Sequence, residues 1–185
     1  MKKILVVGAH PDDETLGLGG TLALNAKKGN EICVLIFTDG ESARGNKSKI
    51  KLRQNQAKKA CSVLGIKQVK FLDYEDEKLD LVALAEMAKH IEKVIKDWNP
   101  SIIFTHYWDD INQDHRKVFE ATRIAVRPQP KLKINHVLCY ETPSSTEPHS
   151  AKPGFNPNLF VNIETTLTKK INAFKKYKDE VESFP

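Results

Sequence analysis

An α/β fold, with a mostly parallel central sheet covered by helices on both faces, is predicted by three observations. Apolar runs rich in β-branched residues alternate with stretches of helical periodicity along most of the chain. The longest runs, "ILVV" at 4–7 and "ICVLIF" at 32–37, are apolar without interruption, as strands buried on both faces are. At 185 residues, 40% of them hydrophobic, the chain suffices for one well-packed core and is too short for two ordinary ones, so residues 1–185 read as a single domain. Strands alternating with helices form βαβ units with right-handed crossovers, which makes the fold Rossmann-like, in three layers, αβα.

In chain order, "ILVV" is the first strand, and "GLGG" at 17–20 falls inside the helix-like segment after it. Those glycines lack the strand-to-helix context of a dinucleotide-binding G-x-G-x-x-G loop and read instead as sites of close helix packing. After "ICVLIF" comes a stripe of Ala57, Ala60, Cys61 and Leu64 at i, i+3, i+4 and i+7, closed by Gly65 as a C-cap. "VKFL" at 69–72 is the third strand, and Leu84, Ala88, Ile91 and Ile95 mark the next helix, with Pro100 shortly after it. "SIIFT" at 101–105 is the fourth strand; a helix from Asp114 to Ala125 ends before "RPQPK", and "VLCYE" at 137–141 is the fifth strand. Residues 142–158, "TPSSTEPHSAKPGFNPN", form a long loop that is either substrate-facing or an ordinary surface connection. An apolar "LFVNI" strand and a helix over Thr166–Glu182 complete the prediction. In the common 3-2-1-4-5 strand order the first and fourth strands are neighbours, and ligands bind in the crevice beyond their carboxyl ends. Here the first strand runs into "AHPDDE" and the fourth into "THYWDDINQDHR", so two polar loops face each other there.

Composition removes several classes of function. The net charge of +5 comes from lysines spread along the chain, and those of "TKKINAFKKYKDE" are interleaved with acids as on a solvated helix face. No basic patch with interleaved aromatics is present, so no nucleic-acid partner is expected. Cys33 and Cys139 lie in apolar strand runs and Cys61 on the apolar side of a helix, with no C-x-x-C pair or disulfide framework. The start, "MKKILVVGAH", turns polar too soon for a signal peptide, and no membrane-spanning stretch follows, so a cytoplasmic location is expected.

The chemistry concentrates in the two facing loops. His10 and Asp13, two residues apart at a strand-to-helix turn, can converge on one ion, and a site with three protein ligands leaves a position open for water. The third ligand is expected from the opposing loop as His115, with Asp114 beside it to orient the ligands or the reacting water. A plain helix start, with Asp12 or Asp13 as N-cap and Glu14 at the positive end of the dipole, is the rival reading of "HPDDE" taken alone. Asp12, which points differently from its neighbour, is left free to take a proton from a metal-activated water and return it to a departing amine.

These residues resemble the LmbE-like or PIG-L family of zinc-dependent N-acetylglucosaminyl deacetylases, whose hallmarks are A-H-P-D-D-E after the first strand and H-x-D-H after a later one. "HPDDETLGLGGTLA", "FTDGE", Arg53 leading to "LGI", "DHR", "YETP" and "FNPNLFVNIE" follow in the family's order across nearly the whole chain. The resemblance implies hydrolysis of the N-acetyl amide of a glucosamine-type sugar or glycoconjugate. It implies His10, Asp13 and His115 as ligands of zinc, or of another divalent transition metal such as Fe2+, and Asp12 as general base. Arg53 matches a substrate-contacting arginine, its rival reading being a solvent-facing helix arginine, and Asp39 in "TDGE" shapes the pocket. Assembly into homo-oligomers is common among similar proteins.

Two departures from the pattern bear on activity. "NQDH" stands for H-x-D-H, so Asn112 occupies the place of a histidine that polarises the oxyanion; an amide donates a hydrogen bond but supplies neither proton nor charge. His106 and Tyr107, in the same loop, are the candidates to replace it, by donating to the oxyanion or contacting substrate, the rival reading of His106 being a strand-end residue hydrogen-bonded to backbone. The chain also stops at "ESFP", where many relatives continue, so a C-terminally shortened form or a shorter branch is expected. The alternative to a deacetylase is a metal-binding module that recognises a sugar without turning it over. A phosphoesterase is disfavoured by the few basic residues near the site.

Overall fold

The computed structural model describes residues 1–130, 132–143, 145–146 and 154–183. Among them, five strands form one sheet in the order β3-β2-β1-β4-β5. These are β1 (Lys3–Gly8), β2 (Glu31–Thr38), β3 (Gln68–Tyr74), β4 (Ile102–Thr105) and β5 (His136–Cys139), and every pairing is parallel. This is the three-layer Rossmann-like arrangement that the alternation predicts.

The side-chain period of a strand divides the core into two halves. Ile4 and Val6 of β1, with Ile32, Val34 and Ile36 of β2, face one layer of helices. That layer holds α1 (Asp13–Lys27), α2 (Ile50–Leu64) and α5 (Leu167–Phe174), through Leu18, Leu22, Ala57, Ala60, Cys61, Leu64 and Ala173. Leu5 and Val7, with Cys33, Leu35 and Phe37, face α3 (Leu84–Trp98) and α4 (Gln113–Ala125) through Met87, Ala88, Ile91, Val118 and Ala121. Gly65 ends α2 at φ 88°, the left-handed C-cap expected of it. Three cysteines are free, Cys33 and Cys61 being buried. Among the described residues no helix is long and apolar enough to cross a membrane.

The C-terminal part departs from the sequence prediction. "LFVNI" is not a strand: residues 159–163 are irregular and have no sheet partners, and Leu159, Phe160 and Val161 are exposed. The chain is drawn across α1 instead of along the sheet edge, because Ile163 packs onto Gly20 and the Thr166 hydroxyl donates to the Gly20 carbonyl at 2.8 Å. The long final helix is interrupted, α5 ending at Phe174 and α6 (Lys178–Ser183) starting after a turn that buries Tyr177. Parts of the 142–158 loop, at Ser144 and 147–153, and the "FP" end of "ESFP" lie outside the described residues.

The glycines of α1 permit close approach, as their place inside the helix suggests. A Cβ at Gly17 would stand 2.5 Å from Tyr140 Cδ2 and 2.6 Å from the Glu141 carbonyl oxygen, which is backbone and cannot swing aside. Gly→Ala inside a helix ordinarily gains about 1 kcal/mol. Gly17→Ala is expected to do the reverse, costing roughly 1–3 kcal/mol through overpacking. A melting temperature equal to or above wild type would show that α1 does not press on the 140–141 segment.

Candidate active site

Neighbouring central strands deliver the site. β1 pairs with β4 through Ile4↔Ile102, Leu5↔Ile103 and Val6↔Phe104, so the loops leaving their carboxyl ends, 9–12 and 106–112, emerge side by side. The chain after β3 brings Asp76 and Glu77 to the same end of the sheet. A cleft of about 320 Å³ opens there, lined among others by His10, Asp12, Asp13, Arg53, Asn112 and His115. A larger hollow of about 530 Å³ lies between the end of α4 and the start of β5, at the opposite end of the sheet, and its lining of Val126, Leu132, Ile134 and neighbours holds no comparable set of ionisable groups.

The first loop does start a helix, with Asp13 and Glu14 in its first turn, but no side chain caps it. Asp12 occupies the N-cap position of α1 yet makes no capping bond with its side chain. Asp13 is not the cap either, since its Oδ2 accepts the His10 amide at 2.7 Å. Asp12 instead adopts φ 138°, a conformation that typically costs ~1–3 kcal/mol for a residue with a Cβ. Two contacts hold it there: its own N–H donates to Glu14 Oε2 at 3.1 Å, and its carboxylate Oδ2 accepts from Arg53 Nη2 at 2.8 Å.

His10, Asp13 and His115 converge. His10 Nδ1 lies 3.1 Å from His115 Nε2 and 3.6 Å from Asp13 Oδ2, and His115 Nε2 lies 3.3 Å from Asp13 Oδ1. The outer nitrogen of each ring faces carboxylates: His115 Nδ1 is 3.0 Å from Asp110 Oδ2, and His10 Nε2 is 3.1 Å from Asp76 Oδ1 and 3.4 Å from Asp114 Oδ2. Carboxylates behind imidazoles are the arrangement that orients histidines toward a metal and makes them more basic. Burial opposes charge on both rings, yet Asp114, Asp13 and Asp76 hold His10 well above the usual imidazole value, and Asp13 and Asp110 raise His115 to about 9. Burial likewise opposes ionisation of Asp13, and the His115 charge holds it well below the usual carboxylate range.

Two overlapping trios, His106–Asp110–His115 and His10–Asp76–Asp114, also bring candidate ligand atoms within 4.8 Å of one another. Their members carry bonds of their own, as Asp13 does through the His10 amide. His106 Nε2 accepts the Ala9 amide at 2.9 Å, and the Asp114 carboxylate accepts the amides of Glu77 and Leu79 at 2.8 and 3.0 Å. The inner trio has two ring nitrogens facing each other across Asp13, a donor set of imidazoles and carboxylate that fits zinc, with Fe2+ as the alternative.

The remaining candidates are placed as follows. Arg53 is 2% exposed, which removes the solvent-facing reading, and it lines the cleft. Asp114 ties the 77–79 turn to α4 while facing His10. Asn112 caps α4, its Oδ1 accepting from the amides of Asp114 and His115, and its Nδ2 donates to Glu77 Oε1 at 2.6 Å. Asp39 shapes a turn by accepting from the amides of Glu41 and Ser42. His106 and Tyr107 are both buried. His106 is 0% exposed, burial lowers it to about 4, and its acceptance of the Ala9 amide leaves the hydrogen on Nδ1, facing Thr142 at 3.5 Å. Tyr107 packs against Trp108 and Phe155, and neither His106 nor Tyr107 is among the described lining of the cleft.

Sequence reasoning missed several contributors. Asp110 was visible five positions before His115 in "DDINQDH", and the acidic "YEDE" after the third strand follows the same strand-end rule that found the other loops. Arg44 sits in the loop leaving β2 and follows that rule too, whereas Tyr177 and Glu180 carried no local signal, being brought to the site only by the packing of the last helices.

The profile of the PIG-L family, described as GlcNAc-PI de-N-acetylase, matches residues 5–126. The chain is 34% identical to the uncharacterized deacetylase YaiS of Escherichia coli (strain K12) over 183 residues, 96% of this chain and 91% of that protein. It is 28% identical to a probable N-acetyl-alpha-D-glucosaminyl L-malate deacetylase 2 of Bacillus cereus, over 98% of this chain and 85% of that one. The conserved protein TT1542 from Thermus thermophilus superposes with a TM-score of 0.78 at 24% identity, covering 96% of this chain and 79% of that chain, and so shares the fold. With the profile spanning most of the chain and a relative 34% identical over 96% of it, this protein belongs to the PIG-L (LmbE-like) family, whose named relatives here are deacetylases.

Proposed function

We propose that this protein hydrolyses the N-acetyl amide of a GlcNAc-type sugar or glycoconjugate, with His10, Asp13 and His115 holding a divalent ion, zinc first among candidates. The convergence of those three side chains beside the buried carboxylate of Asp12 carries the reading. A divalent ion there supplies Lewis acidity to the amide carbonyl and to a water.

The chain's own residues supply the rest. Asp12 takes a proton from the attacking water and passes it to the departing amine nitrogen. Burial pushes its carboxyl above the ordinary carboxylate range, against the pull of Arg53, which suits a group that must both accept and release a proton near neutrality. Arg53 keeps one oxygen of Asp12 fixed, and Asp110 fixes the ring of His115 from behind. Arg53 and Arg44 line the cleft wall offered to sugar hydroxyls.

Asn112 favours a second reading, a module that binds the sugar without turnover, because its amide is committed to capping α4 and to Glu77 and brings no cation to the oxyanion. An acetate-release screen of the zinc-loaded protein over N-acetylated amino sugars separates the two. Zinc binding without turnover across the panel favours the module.

Two variants test the assignments. Asp12→Asn is expected to lower acetate release by about 10²–10⁴-fold with unchanged zinc content. Full activity in the folded, zinc-loaded variant would remove Asp12 from the mechanism. Asp110→Asn is expected to weaken zinc binding roughly 10–100-fold in chelator competition, with little change in melting temperature. Equal affinity would show that His115 does not depend on it.

A further inference from the structure

We propose that Tyr177 is a positioning residue for Asp12, acting through Glu14 and Arg53. The inference rests on Asp12 being the group that moves the proton. Tyr177 lies in the turn between α5 and α6, beyond the residues matched by the family profile, and is 0% exposed. Its hydroxyl donates to Glu14 Oε1 at 2.7 Å, and the other oxygen of that carboxylate, Oε2, accepts the Asp12 amide at 3.1 Å. The Arg53 guanidinium carbon lies 5.3 Å from the centroid of the Tyr177 ring, and Arg53 Nη2 donates to Asp12 Oδ2 at 2.8 Å. One side chain thus reaches both the backbone and the carboxylate of Asp12.

The need for such support follows from the conformation of Asp12. At φ 138° with no side-chain cap, its orientation is not what a helix start dictates, and restraint has to come from elsewhere in the fold. Glu14 provides it only while its carboxylate is held. That carboxylate is 0% exposed and also takes the Thr15 hydroxyl at 2.7 Å, so the Tyr177 hydroxyl is one of two side-chain O–H groups anchoring Oε1. Filling the space needs only a phenyl ring, and a buried hydroxyl facing a buried carboxylate is costly unless the pair is aligned. Glu180, three residues on, lies 2.8 Å from Arg53 Nη1, so the same turn steadies the guanidinium from its ring face and from one end, leaving Nη2 to Asp12.

Tyr177→Phe, which keeps the ring and removes the hydroxyl, is the decisive variant. In the zinc-loaded full chain, kcat for acetate release is expected to fall about tenfold, with KM within about twofold of wild type and zinc content unchanged. Purely structural support predicts instead a lower melting temperature with kcat intact. In the Glu14→Gln background the same substitution is expected to have little further effect on kcat, because both act along one line. Unchanged kcat, or additive losses in the double variant, overturns the proposal. Crystal structures of the wild type and Tyr177→Phe provide a readout independent of turnover. A shifted Asp12 backbone in the variant supports the role, and an unmoved Asp12 overturns it. Absence of acetate release from the wild type would instead count against the deacetylase reading, leaving the crystallographic comparison to decide Tyr177.

Discussion

The parallel pairing of β1 with β4 is the constraint on which the site depends. The chain winds outward from β1 to β2 and β3, then returns to lay β4 on the other side of β1. Helices leaving two adjacent strands in opposite directions cannot cover the gap between their carboxyl ends. The loops that border this gap carry His10, Asp12 and Asp13 on one side and Asp110, Asn112, Asp114 and His115 on the other. The trio exists because two segments about a hundred residues apart are held in register by a few backbone hydrogen bonds.

A gathering of so many buried ionisable groups is tolerated because nearly every one faces a partner of complementary charge or a fixed dipole. Removing an isolated charge from water costs several kcal/mol, and a paired, hydrogen-bonded one far less. Asp12 has Arg53, His115 has Asp110, and Asp114 has two backbone amides. The inner nitrogens of His10 and His115 confront each other as well as the carboxylate of Asp13, a donor set suited to a cation.

Much of the fold was legible because its signals are local. Uninterrupted apolar runs at 4–7 and 32–37 reveal strands covered on both faces, and the stripe ending at Gly65 reveals the helix that follows them. "LFVNI" misled for the same reason, since an apolar run says that a segment seeks partners and does not say which. Here Ile163 finds α1 through the gap left by Gly20, and the preceding residues join no strand. His106 carried two readings in the sequence, an oxyanion donor and a strand-end histidine bonded to backbone, and the amide of Ala9, delivered from the neighbouring strand, occupies its Nε2.

The sequence by itself determined the strand-helix alternation, the loops that carry the chemistry and the identity of the candidate ligands, because each is written in consecutive residues whose spacing has a physical meaning. Tertiary structure alone decided which carboxylate stands behind which imidazole, that Arg53 is buried against Asp12, and that the Tyr177 hydroxyl meets the Glu14 carboxylate. Those relations join segments from about 40 to more than 160 residues apart, as Arg53 with Asp12 and Tyr177 with Glu14 show, and no local periodicity encodes a contact made only after the layers have packed.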